Sequence, residues 1–244
     1  MQIVSYIMAV SMLLGLFLVP TAVAADSPWT EDQLKIATTF ELMKGHLTSA
    51  RENAKQGKIP LAQAHAAHPL HEAYAELPST FATDHPALDK TLREDLTRLQ
   101  QSVDGKHDAT ALGTAVDGVF KHLDHSLHTV LPADIRESAQ FRGAVVIHLI
   151  EAIEEEYDEV VDDGKVVNVA EYQDAFGFLQ RARALTNQLG DRLQAEDRKQ
   201  LTSLLKSLED ALPTIMPPAS PVSSEVVAKQ ADALAALLKK NTAK

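Results

Sequence analysis

Apolar side chains recur at helical spacing along most of the chain. The first stripe follows Thr30 and Gln33, which form a capping-box signature for the start of a helix. It repeats at about 3.6 residues through Ile36, Phe40, Met43, Leu47, Ala50 and Ala54. Similar stripes continue as far as Leu238, and no segment has a convincing strand pattern. The pattern predicts an all-α fold, either one antiparallel helical bundle or two bundles in tandem.

Turn-forming residues divide these stripes into separate helices. Gly57 is expected to end the first helix, Pro60 to open the second and Pro69 to interrupt it. From Asp134 we expect one long helix. The other boundaries are predicted at Asp84, Asp104-Gly105, Asp108, Pro132, Gly190 and the proline-rich segment from Pro213 to Pro221.

The segment Asp162-Asp163-Gly164 has two interpretations. Valine pairs on either side permit a small hairpin. Alternatively, Gly164 is the C-cap between two helices, because Asn168 and Glu171 form a second capping box. We favour the C-cap.

Composition and charge narrow the function classes. The chain has 244 residues, of which 45% are hydrophobic, with a formal net charge of −11 and no cysteine. The apolar content is sufficient for a folded core. The missing cysteines exclude disulfides, thiolate nucleophiles, iron–sulfur clusters and zinc fingers. The acidic balance argues against nucleic acid as a partner, because phosphate binding requires a basic surface.

The N-terminus has the features of an export signal. An apolar run from Ile7 to Val19 ends at Pro20, and Ala22-Val23-Ala24 supplies the small residues of a cleavage site. We expect cleavage after Ala24 and a periplasmic product without a membrane span; a retained anchor is the alternative. The predicted division is a signal peptide at 1–24, a His-rich helical region at 25–131 and an acidic helical region at 132–244.

The histidines are concentrated in one part of the chain. All ten lie between His46 and His148. Histidine and acidic residues spaced by three or four positions share one side of a helix, where imidazole and carboxylate bind iron, zinc, copper or manganese. The candidate metal ligands are His46, His65, His68, Glu72, His122, His148, Glu151 and Glu155.

Each group also has an interpretation without metal. His65, His68 and Glu72 could form a solvated face, and His125 and His128 are expected to face solvent beside His122. Because ligands must be neutral imidazoles, a metal site is expected to lose affinity as pH falls through about 6.5.

Several short motifs between His148 and Tyr172 resemble those of a known protein family. His148-Leu149-Ile150-Glu151, Glu156-Tyr157, the turn from Asp163 to Asn168, and Glu171-Tyr172 resemble the extracytoplasmic N-terminal region of bacterial Ftr-type high-affinity iron permeases. The likeness covers roughly residues 141–238. It implies a helical bundle, favours iron as the metal and suggests a membrane iron permease as partner.

The resemblance does not extend to the transporter itself. The permease's Arg-Glu-x-x-Glu motif is absent, since neither Arg51-Glu52 nor Arg136-Glu137 continues as that motif requires. The sequence therefore favours an exported metal-binding or accessory protein linked to uptake of iron or another transition metal. A structural or partner-binding bundle without metal is the first alternative.

An enzyme, either a ferrous-iron oxidase or an imelysin-like protein, is the second alternative. Neither the G-x-S-x-G nor the H-E-x-x-H motif is present, so we favour a role without catalysis and assign no catalytic residue.

Overall fold

A computed structural model describes residues 27–103, 109–189 and 193–242. The predicted signal peptide, and the helix boundaries at Asp104-Gly105, Asp108 and Gly190, lie outside these ranges. In the described ranges most residues are helical and two short strands are present, which confirms the predicted all-α fold. None of the helices described there is long and apolar enough to span a membrane.

Four long helices in the first half form a bundle in which each contacts the next. They are α1 (Glu31–Lys55), α2 (Ile59–His71), α4 (Pro86–Val103) and α5 (Ala109–Val130), and α5 closes the ring by contacting α1. Between α2 and α4 lie two short helices, a 3-10 turn at Ala73–Glu76 and α3 (Ser79–Asp84). Phe40, Phe81, Leu96 and Leu123 are among the buried residues of this core.

The second half forms a comparable bundle. The short α6 (Ala133–Arg136) leads into α7 (Ala139–Asp158), followed by α8 (Val169–Asn187), α9 (Ala195–Ala211) and α10 (Ser224–Thr242). Helix α7 contacts both α8 and α10, and α9 contacts α8 and α10. A separate core fills this bundle. Helix α1 joins the two bundles because it also packs against α7 and α8.

The capping residues predicted from sequence begin their helices. Thr30 accepts a hydrogen bond from the Gln33 backbone N–H, and the Gln33 side chain accepts one from the Thr30 N–H. Asn168 accepts from the backbone N–H groups of Ala170 and Glu171 at the start of α8. These local contacts satisfy N–H groups that the first helical turn leaves without partners.

The expected interruption of the second helix at Pro69 is wrong. Helix α2 continues through the buried Pro69 to His71, and the Glu72 N–H donates to the His68 carbonyl. Proline removes one backbone hydrogen bond, but here the packed helix tolerates that loss. As a consequence, His65, His68 and Glu72 keep helical spacing.

The preferred C-cap at Gly164 is also wrong, since the chain forms the alternative hairpin. Strand β1 (Val161–Asp162) pairs antiparallel with β2 (Lys165–Val166). The two turn residues, Asp163 and Gly164, have φ values of 48° and 72°. Positive φ at both positions is typical of the tight turn that joins two-residue-loop hairpins, for which Asp-Gly is a preferred sequence.

The single long helix expected from Asp134 is divided. Helix α6 ends at Arg136, and Ser138 begins α7 by accepting a hydrogen bond from the Phe141 N–H at 3.1 Å. A serine cap therefore starts a new helix where apolar spacing alone suggested continuity.

Helices α1 and α8 cross at two glycines. A Cβ added at Gly177 would overlap the Gly45 carbonyl oxygen and Ser49 Oγ, and one added at Gly45 would overlap the Phe178 ring. Ser49 Oγ also donates to the Gln173 carbonyl at 2.5 Å. The two backbones lie so close at this point that only glycine fits.

We expect Gly177→Ala to lower the free energy of unfolding by roughly 1–3 kcal/mol, because the added methyl overpacks this crossing. Gly118→Ala is the matched control, since it lies in α5 with no atom within 4 Å of an added Cβ. The control should gain about 0.5–1 kcal/mol from helix propensity. Urea denaturation measures both; equal effects of the two variants would contradict the close crossing.

Candidate metal centre

Three helices place four possible metal ligands at one point. His46 lies on α1 next to the glycine crossing, His65 and His68 lie one turn apart on α2, and Asp174 lies on α8. Within the parts of the chain that the structure describes, one ligand atom of each lies within 4.8 Å of the others. The first bundle therefore supplies three imidazoles and the second a carboxylate.

The three rings all present Nδ1 to the same carboxylate. His46 Nδ1 lies 2.6 Å and His65 Nδ1 2.9 Å from Asp174 Oδ1. His68 Nδ1 lies 3.1 Å from the second oxygen, Oδ2. The ring of His68 meets the rings of both other histidines edge-on, with centroids 5.1 Å apart in each case.

The cluster is buried. His65 is 0%, Asp174 1% and His46 4% exposed, whereas His68 retains partial access to solvent. Burial opposes ionisation of Asp174, but the charges of His46 and His65 and their hydrogen bonds hold its pKa well below the usual range. A buried carboxylate of this kind requires cationic partners, either protons on the rings or a metal ion.

The proton on His68 is held tightly. Burial lowers the pKa of His68, but the hydrogen bond and charge of Asp174, with the charges of Glu72 and Glu171, raise it to about 9. At His68, therefore, protons compete with a metal ion up to about pH 9 rather than 6.5.

The donor set fits a transition metal. Three imidazoles and one carboxylate suit iron, zinc or manganese, and thiolates are absent. In a tetrahedral site with metal–ligand bonds near 2.0–2.1 Å, neighbouring ligand atoms lie about 3.3 Å apart. The Nδ1–oxygen distances of 2.6 to 3.1 Å are shorter than this, and the four ligand atoms all lie within 4.8 Å of one another. Movements of the side chains would therefore have to adjust these separations to admit an ion.

Three glutamates border the cluster where it approaches solvent. Glu72 lies 3.6 Å from His68 Nδ1, and Glu171 on α8 and Glu156 on α7 lie near Asp174. Burial raises the pKa of Glu156 well above its usual value, and the charge of Asp174, a hydrogen bond with Glu171 and the charges of Glu171 and Glu72 add to that effect. These three glutamates form the acidic edge of the cluster, and their burial and mutual repulsion favour the protonated form of Glu156.

The other predicted ligands lie in different surroundings. His122 on α5 pairs with Asp95 on α4 at 2.8 Å. His148 Nδ1 lies 3.0 Å from Glu151, which also pairs with Lys239, and both residues of the pair are at least one-third exposed. Glu155 is exposed, as are His125 and His128 in accordance with the prediction for those two. The structure thus brings together His46, His65 and His68, with Glu72 at the edge.

Sequence reasoning missed Asp174, and the solvated-face interpretation of His65 is wrong because that ring is fully buried. One signal for Asp174 was available: it is an acidic residue within the largely apolar stretch from Tyr172 to Leu179. An aspartate is almost never fully buried unless it is paired, so its position in this stretch indicates a buried partner.

Comparison with known proteins addresses the second half of the chain. Residues 132–244, just under half of the chain, match the family model of the iron permease-associated 4-helix bundle domain. No curated protein and no solved structure matches the chain. The match confirms the resemblance to iron permeases seen in the sequence, and it points to a function related to an iron permease. The matched region contains α7 to α10 and therefore Asp174.

We expect His68 to make the metal-free protein more stable at pH 6 than at pH 9.5. Its pKa is about 6.5 in an unfolded chain and about 9 in the fold. Its stabilisation is therefore complete below pH 6.5 and is lost as pH rises through 9. The excess unfolding free energy of wild type over His68→Gln should shrink by roughly 1–3 kcal/mol across this interval.

Urea denaturation in the presence of a chelator measures this difference. His125→Gln, at an exposed position on α5, is the control for the exchange of a histidine for glutamine. If the difference in unfolding free energy between wild type and His68→Gln stays constant between pH 6 and 9.5, the raised pKa of His68 is contradicted.

Proposed function

We propose that this chain is an exported metal-binding accessory protein of iron uptake, and that His46, His65, His68 and Asp174 hold the metal ion. The observation that carries the proposal is the convergence of three Nδ1 atoms on one buried carboxylate. Without a metal ion, the buried Asp174 carboxylate needs protons on the rings that face it, and buried charges are costly to hold away from water.

Iron is the favoured metal. The nitrogen and oxygen donors accept iron or zinc, and copper(II) also binds imidazole. The iron permease-associated match of residues 132–244 supports iron over the others. Glu72 lies beside His68 and could serve as an additional ligand, since iron commonly takes more than four.

The two bundles have complementary parts in this proposal. The matched bundle carries Asp174, Glu156 and Glu171, whereas the first bundle carries the three histidines and Glu72. We propose that the ion enters across the acidic edge and that the chain presents it to a membrane iron permease. The partner itself is inferred from the family match.

The proposed location is the periplasm. The apolar run from Ile7 to Val19 and the small residues Ala22-Val23-Ala24 support export and cleavage after Ala24. The proposed division into a His-rich region at 25–131 and an acidic region at 132–244 is supported by the two separate cores.

Calorimetric titration of ferrous, ferric, zinc and copper ions tests the site. We expect one ion per chain, with affinity reduced at least tenfold, or about 1.4 kcal/mol, in Asp174→Asn and in His65→Ala/His68→Ala. The matched control is His148→Ala/Glu151→Ala, which removes an exposed pair of the same chemistry. This control should bind like wild type.

Circular dichroism of each variant distinguishes lost binding from lost folding. Folded Asp174→Asn and His65→Ala/His68→Ala proteins with wild-type affinity would contradict the site. A structural or partner-binding role without metal would then be the favoured function.

A further inference from the structure

The ring of His65 is held on both sides by neighbouring residues of α8. Its Nδ1 faces Asp174, and its Nε2 lies 2.8 Å from Gln173 Oε1. His65, Gln173 and Asn53 are all 0% exposed. The contacts of Gln173 therefore decide which nitrogen of His65 carries a hydrogen.

The Ser49 carbonyl oxygen, which can only accept hydrogen bonds, fixes the orientation of the Gln173 amide through Asn53. Asn53 Nδ2 lies 3.0 Å from the Ser49 carbonyl oxygen, so the nitrogen end of Asn53 must point there. The second hydrogen of Asn53 Nδ2 is donated to Gln173 Oε1 at 2.8 Å, and Gln173 Nε2 donates to Asn53 Oδ1 at 3.1 Å. Reversal of both amides would place Asn53 Oδ1 against the Ser49 carbonyl oxygen.

With Gln173 Oε1 fixed as an acceptor, His65 Nε2 must be the donor. A neutral His65 then carries its hydrogen on Nε2 and its lone pair on Nδ1. Nδ1 therefore faces Asp174 Oδ1 at 2.9 Å. In the metal-free protein it donates its hydrogen to that carboxylate, and a metal ion that replaces this hydrogen meets the Nδ1 lone pair at the position shared with His46 and His68.

We infer that Gln173 and Asn53 are positioning residues that fix His65 as the Nε2–H tautomer, so that Nδ1 is the atom that binds the metal. This inference rests on the proposed metal site. Hydrogen-bond partners of ligating histidines elsewhere typically change metal affinity by 10–100-fold when they are removed. Gln173 and the ligand Asp174 are consecutive on α8, so one turn of this helix both binds the ion and orients His65.

Nitrogen-15 NMR of the zinc-loaded protein, with Zn²⁺ as a diamagnetic probe, tests the tautomer directly. In wild type we expect His65 to show a slowly exchanging Nε2–H signal and a zinc-bound Nδ1. A zinc-bound Nε2 or an Nδ1–H signal would overturn the inference. Because this measurement uses wild type, it does not depend on the folding of any variant.

Two variants then test the role of Gln173. Gln173→Met, similar in size but without the acceptor, should lose the protected Nε2–H signal and bind zinc 10–100-fold more weakly. Gln173→Glu keeps an acceptor oxygen toward His65 Nε2, and because burial favours a protonated carboxyl, its second oxygen can donate to Asn53 Oδ1 as Gln173 Nε2 does. This variant should retain the signal and the affinity. A purely structural role would let Gln173→Met keep both the signal and the affinity, and that result would overturn the inference.

A failure of the proposed function would give a different result in these experiments. If wild type does not bind zinc or iron at all, the metal site is wrong. The amide network is then tested in metal-free protein, where a slowly exchanging Nε2–H signal from His65 supports it and the absence of a protected Nε2–H overturns it.

Discussion

The crossing of α1 and α8 at Gly45 and Gly177 is the constraint on which the site depends. Because neither residue has a side chain, the helices approach until Ser49 Oγ reaches the Gln173 carbonyl. Next to this crossing, His46 Nδ1 on α1 and Asp174 Oδ1 on α8 meet at 2.6 Å. The same approach joins the two bundles. The candidate metal centre is therefore a property of the junction rather than of either bundle alone.

Two buried carboxylates near this junction, Glu41 and Asp174, are paired with charges in different ways. Beside the metal centre, the buried Glu41 is held by Lys44 and Arg181, whose charges outweigh burial and lower its pKa. That network is complete within the protein. At Asp174, by contrast, three imidazoles face the carboxylate, and each contact is filled by a proton or by a metal ion. The first network therefore stabilises the fold by itself, whereas a metal ion bound at Asp174 would add to the stability of the fold.

The features that could be predicted from the sequence depend on residues that are close together in the chain. Apolar spacing and the caps at Thr30 and Asn168 identified helices, because these signals act within one or two turns. Histidine spacing likewise placed His65 and His68 on one side of α2. Spacing could not identify Asp174 as their partner or pair His122 with Asp95, because those contacts join different helices. Pro69 was misread for a related reason: the tertiary packing of α2 outweighs the local preference of proline to end a helix.

The central claim is that a metal ion is bound where the two bundles meet. Anomalous diffraction at the absorption edge of iron or zinc, from crystals grown with that ion, locates the metal without any substitution. We expect one dominant peak bounded by Nδ1 of His46, His65 and His68 and by the Asp174 carboxylate, at about 2.0–2.2 Å from each. A dominant peak beside His148 and Glu151, or no ordered metal at the junction, would contradict the claim.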